Sequence, residues 1–137
     1  MTARRLVTVS AGLRTPSSTR LLADRLADAA VRALEVRGLT VDAGVVELRE
    51  HARDLTGALV TGVPAPAVDD LLGRVSSADA LVLVTPLYNG SYTGMLKDLV
   101  DLLPEDALAG VPVLMAATGG TPRHALALDH TLRPLVG

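Results

Sequence analysis

Cysteine, tryptophan and phenylalanine are all missing from this 137-residue chain, and two tyrosines are its whole aromatic supply. Without cysteine there can be no disulfide, no thiol nucleophile and no cysteine-based zinc site. A reducing compartment suits such a chain. No apolar run approaches the roughly 20 residues that a membrane-spanning helix needs. Arg4 and Arg5 precede an apolar stretch that ends by Ser10 and Gly12, too short for a signal-peptide core. The net charge is −2, and the arginines are scattered rather than clustered. That pattern suits solvated helix faces and argues against a nucleic-acid partner. The expectation is a cytoplasmic protein bound to neither membrane nor nucleic acid. Its length suits one domain.

What is present alternates. "RLVTVS" reads as a strand over residues 5–10. "PSSTRLLADRLADAAVRALEVRG" carries apolar residues at helical spacing, with Ser17, Ser18 and Thr19 as capping candidates and Gly38 as a stop. "LTVDAGVVEL" resumes strand character. Residues 49–66 are irregular, with at most a helical turn near Thr56–Leu59. "AVDDLLGRVSSA" predicts a helix, and "ALVLVTP" a strand buried on both faces. "GMLKDLVDLL" predicts a helix stopped by Pro104. "VPVLMAATGG" predicts a fourth strand and "PRHALALDHTLRPLVG" a last helix. Strand–helix alternation predicts a doubly wound α/β fold, a parallel sheet with helices on both faces. In such sheets ligands bind beyond the carboxyl ends of the strands, at the switch in strand order.

Three predicted strand ends carry polar loops. "SAGLRTPSST" offers five hydroxyls, Arg14 and a helix N-terminus, a combination suited to an anion such as phosphate. Capping accounts for one of those hydroxyls. A P-loop would need a lysine here, and the only lysine is Lys97; a Rossmann fingerprint would need more glycines than Gly12. "TPLYNGSYTG" holds both tyrosines, Tyr88 and Tyr92. "TGGTPRH" places Gly119 and Gly120 where backbone could approach a flat ring, although a tight turn would use the same pair. Loops of this kind can supply backbone donors and flat groups to a planar heterocycle. Sequence does not separate a cofactor-facing tyrosine from one that packs an interface. "GSYTG" is not a nucleophile elbow, and His51, His124 and His130 lack metal-ligand spacing. Neither a hydrolytic triad nor a metal site is expected.

The stretches "VSAGLRTPSSTRLLADRL", "ADALVLVTPLYNGSYTGMLKDLVDLLPEDALAG" and "VLMAATGGTPRHALALDHTLRPL" resemble the NAD(P)H-dependent FMN reductases of the flavodoxin-like superfamily. Within that family the chain looks like the branch partnered with luciferase-like flavin monooxygenases. The resemblance implies that Ser10, Arg14, Ser17, Ser18 and Thr19 cradle the FMN phosphate. It implies that Pro86, Leu87, Tyr88, Asn89, Gly90 and Ser91 line the isoalloxazine, that Thr118, Gly119 and Gly120 close its other edge, and that Arg123 reaches the nicotinamide nucleotide. FMN and NADPH or NADH would share one cleft, and reduced FMN would leave for a monooxygenase.

Residues 1–137 are thus expected to form one flavodoxin-like domain. The family pattern continues with a fifth strand and helix, which this chain is expected to lack. Four strands would leave "VPVLMAA" as an open edge, to be covered by further chain or by another subunit. Met95, Leu96, Leu99, Val100, Leu102 and Leu103 occupy most of the circumference of their helix, which points to a homodimer or homotetramer built on it, the alternative being a helix deeply buried in a monomer. The competing functions are an FMN-retaining reductase of quinones, azo compounds or metal oxyanions, an electron-carrier flavodoxin, and a degenerate structural subunit. Two tyrosines and a charge of −2 count against the carrier.

Overall fold

The computed structural model describes residues 3–13, 17–87 and 91–119. Four parallel strands form one sheet in the order β2-β1-β3-β4, where β1 is Arg4–Ser10, β2 Val41–Glu47, β3 Ala80–Pro86 and β4 Val113–Thr118. The helices are α1 (Ser18–Val36), α2 (Ala52–Thr61), α3 (Pro66–Ser76) and α4 (Gly94–Leu102), with a 3-10 turn over Leu48–His51. This is the expected flavodoxin-like α/β architecture. The predicted helix in residues 122–137 lies outside the described residues.

Each strand follows from its residues. In β3 the five central positions are all buried, as a run of apolar β-formers covered on both faces should be. β1 alternates. Val7, Val9 and Ala11 face the larger core with Leu55, Leu71, Val75, Leu96 and Leu99, and Leu6 joins Ala23, Val82 and Val84 on the opposite face. Thr8 and Ser10 share that second face by period-two alternation. α1 lies over it and buries Ala23 and Ala27, whose small side chains let the helix come close to the sheet. Gly38, at φ 82°, ends α1 in a conformation that other residues rarely adopt.

The chain leaves β1 toward β2, then returns past β1 to β3 and β4. The switch point therefore lies between β1 and β3, where Val9 pairs with Leu83 and Ser10 with Val84.

Residues 49–66 depart from expectation. They are not irregular, because the 3-10 turn runs directly into the ten-residue helix α2. The pattern was hard to read because Gly57 and two threonines dilute it and no side chain caps the helix. What holds it is tertiary: Leu48, Leu55 and Ala58 are fully buried in the main core. Gly62 then closes the helix at φ 74°.

That unforeseen helix also accounts for the apolar surplus of α4, which packs against α2 and the 3-10 turn. Leu96 and Leu99 are buried, and Met95, Leu102 and Leu103 pack against the same core. Most of the excess is therefore used within the chain. Among the described residues β4 is an edge strand, and Leu114 is 48% exposed. No described helix is long and apolar enough to cross a membrane.

Candidate cofactor site

The carboxyl ends of β1, β3 and β4 meet at the switch point, and hydroxyl groups tie them together. Ala11 extends the β1–β3 ladder by donating its amide to the Val84 carbonyl at 2.8 Å. The Thr93 hydroxyl donates to the Ala11 carbonyl at 3.3 Å, and the Thr93 amide donates to Thr85 Oγ1 at 3.2 Å. Thr85 Oγ1 in turn donates to the Pro86 carbonyl at 2.8 Å. Across the other junction the Leu87 amide donates to the Thr118 carbonyl at 2.9 Å. The Thr19 and Thr118 hydroxyls share a 3.0 Å hydrogen bond. Each loop is thereby pinned to a neighbour.

The loop after β1 has the features of an anion cradle. Ser17 caps α1, its Oγ accepting the Arg20 amide at 3.1 Å, and the next amides, of Ser18 and Thr19, belong to a helical first turn with no intrahelical acceptor. Gly12 is buried against that turn. A Cβ at position 12 would lie 2.5 Å from Ser17 Oγ and 3.2 Å from Thr19 Cβ. The Ser10 hydroxyl, at the mouth of β1, is buried and has no hydrogen-bond partner among the described residues. Thr8 Oγ1 is likewise unpartnered, but it sits two residues further into the sheet. A buried hydroxyl without a partner costs free energy, and at the mouth of a helix-terminated loop a phosphate oxygen would supply the missing bond. The residues present thus fit a phosphorylated flavin.

Arg20 does not take part in the cradle. Its guanidinium pairs with Asp24 at 2.8 Å and with Glu47 at 3.6 Å, and Glu47 also holds Arg49 at 3.1 Å. The Asp24 hydrogen bond leads the causes that raise the Arg20 pKa further above its already high value, so it stays cationic. Arg20, Asp24 and Arg49 are a third or more exposed, so their pairs contribute little stability, whereas the Glu47 side chain between them is only 9% exposed.

Of the residues expected at the site, the structure brings together Ser10, Ser17, Ser18, Thr19, Pro86, Leu87, Ser91, Thr118 and Gly119 around the three strand ends. The Thr19 hydroxyl is engaged with Thr118, and Leu87 turns its side chain inward at 6% exposure. Arg14, Tyr88, Asn89, Gly90, Gly120 and Arg123 lie outside the described residues. Tyr92 packs against the main core, which answers half of the tyrosine question. Sequence reasoning gave no role to Gly12, Thr85 or Thr93. The available signal was a threonine at each end of "TPLYNGSYT".

A family model described as NADPH-dependent FMN reductase matches residues 4–137. The chain belongs to that family. It is 45% identical to an NADH-dependent FMN reductase, SfnE, of Pseudomonas putida, over 95% of this chain and 67% of the relative. It is 46% identical to an FMN reductase (NADPH) of Pseudomonas aeruginosa, over 96% and 68%. A solved oxidoreductase from Corynebacterium diphtheriae superposes with a TM-score of 0.93 at 43% identity, covering 97% of this chain and 73% of that one. This reductase is accordingly an NAD(P)H:FMN oxidoreductase whose cofactors are FMN and a nicotinamide nucleotide.

Removing the α1 cap of the reductase should have a modest, measurable effect. Ser17→Ala is expected to cost about 1 kcal/mol of stability, read as a lower midpoint in urea with an unchanged slope.

Proposed function

We propose that the loops after β1, β3 and β4 form one cleft in which FMN is reduced and from which it leaves for a flavin-dependent monooxygenase of the luciferase-like class. Ser10, Arg14, Ser17, Ser18 and Thr19 hold the phosphate in this reading. Pro86, Leu87, Tyr88, Asn89, Gly90 and Ser91 line the ring, and Thr118, Gly119 and Gly120 close its other edge. FMN, when bound, supplies the hydride-accepting chemistry. The chain contributes binding and orientation, with hydroxyls and first-turn amides fixing the phosphate and pinned loop backbones fixing the plane of the ring.

The observation that carries this reading is the position of Tyr92. Because it is partly buried and packs against the main core, the ring loop is left with Tyr88 as its aromatic face. A flavin held without an aromatic sandwich suits a substrate that departs, and it disfavours an electron carrier that keeps its flavin.

The described fold is read as most of one flavodoxin-like domain spanning residues 1–137. Cytoplasmic location and a homodimer or homotetramer through the half-exposed flank of α4 complete the reading. Light scattering on the eluting protein tests the assembly, and a monomeric mass would exclude it.

The activity test is anaerobic. Purified protein is mixed with excess free FMN and NADPH, then with NADH, and the oxidised-flavin absorption is followed. Catalytic bleaching of the excess is expected. Bleaching of one equivalent only would instead favour the FMN-retaining reductase, and no bleaching together with no change in flavin fluorescence would reject the site.

A further inference from the structure

We infer that Thr93 is a positioning residue that sets the spacing between the phosphate loop and the ring loop. The inference rests on reading those loops as the two halves of the FMN cleft. Thr93 occupies the N-cap position of α4, with extended backbone at φ −73° and ψ 154°. A threonine there ordinarily turns its hydroxyl onto an amide of its own helix. Here no side-chain cap bond forms. The hydroxyl reaches instead across the switch point to the Ala11 carbonyl, 82 residues away in the chain.

The rest of the residue is held as firmly. Its amide is bound by Thr85 Oγ1, and the residue is 3% exposed. Thr85 and Thr93 therefore close the ring loop at its base, and the Thr93 hydroxyl fastens that base to the backbone immediately before Gly12. Ala11 is gripped from both sides, its amide by Val84 and its carbonyl by Thr93. The strand ladder alone would align β1 with β3, but it does not fix the residues beyond its end. Thr93 does.

This placement has a consequence for ligand choice. FMN engages both loops, so its affinity depends on their spacing as well as on each half-site. Riboflavin has the ring without the phosphate and depends on the loops after β3 and β4, not on the phosphate loop. Loosening the clasp should therefore reduce the preference for FMN over riboflavin, whereas a general loss of stability would weaken both ligands together.

The test is flavin fluorescence titration of wild type, Thr93→Val and Thr93→Ser with FMN and with riboflavin. Thermal melts confirm that each variant is folded, and Thr93→Ala serves as the second hydroxyl-free variant should valine prevent folding. The expected result is a three- to tenfold fall in the FMN-to-riboflavin affinity ratio for valine or alanine, with riboflavin affinity within about twofold of wild type, and restoration by serine. That range matches one hydrogen bond of ordinary net strength. An unchanged ratio, an equal loss for both flavins, or no rescue by serine would overturn the role of Thr93. A wild-type protein that binds neither flavin, or binds both equally, would overturn the underlying cleft reading and the inference with it.

Discussion

Alanine at position 12 is expected to remove tight FMN binding. The added methyl would sit 2.5 Å from Ser17 Oγ, too close to be sustained, and 3.2 Å from Thr19 Cβ, a tight contact that needs a few tenths of an ångström of give, so Ser17 or the loop must move. The first turn of α1 is poorly placed to yield. Thr19 is hydrogen-bonded to Thr118 on β4, and Ala23, one turn on, is buried against the sheet. The easier responses are rotation of Ser17, which breaks the cap on the Arg20 amide, or displacement of the loop backbone. Either one takes phosphate donors out of register. Losing two charge-assisted hydrogen bonds at about 1.5–3 kcal/mol each corresponds to roughly a hundredfold or greater loss of FMN affinity. Stability should fall by only about 1–2 kcal/mol, through the lost cap and local crowding. Fluorescence titration paired with a urea melt separates the two effects. Undiminished FMN binding by a folded Gly12→Ala protein would show that the phosphate is held elsewhere.

Ser10→Ala should move stability and binding in opposite senses. In the ligand-free protein the hydroxyl is buried and unpartnered, so its removal relieves an unmet desolvation cost. Stability is expected to be unchanged or to rise by up to about 1 kcal/mol. In the flavin complex the same hydroxyl gains a charged acceptor, and its loss should weaken FMN about ten- to a hundredfold. The melting midpoint without flavin and the dissociation constant with it are the two readouts. A variant that loses stability and keeps its affinity would mean that Ser10 serves the sheet and not the ligand.

Much of the architecture was legible because strong local patterns coincide with burial. "ALVLVTP" could only be an interior strand, and residues 80–86 form one. The long helix after the first loop was marked by Ser17 and by its apolar spacing. α2 was not legible, since its stability comes from Leu48, Leu55 and Ala58 meeting α4 and the sheet, and none of those partners is near in sequence. The same gap left the apolar girth of α4 to be divided between a second subunit and the chain's own core, and α2 is the part of that core the sequence did not show. At the site, loops could be read from composition, but the pairing of Thr93 with Ala11 and of Thr19 with Thr118 could not. Hydroxyls on distant loops announce nothing until the strand order brings them together.

That strand order also bears on how the protein reaches its native state. Every pairing in the described sheet is parallel, so no two strands can zip as a hairpin, and the helices between them must be spanned first. The β1–β3 pairing is the most demanding, because Leu6 must find Ala80 after the whole β2–α3 excursion has been made. Sheets dominated by such distant pairings fold slowly. The switch point is the seam that this pairing closes, and both halves of the proposed cleft lie on it. A flavin that binds only across the closed seam stabilises the folded chain by mass action. FMN in the refolding buffer should therefore raise the yield of native protein, and riboflavin should do so less.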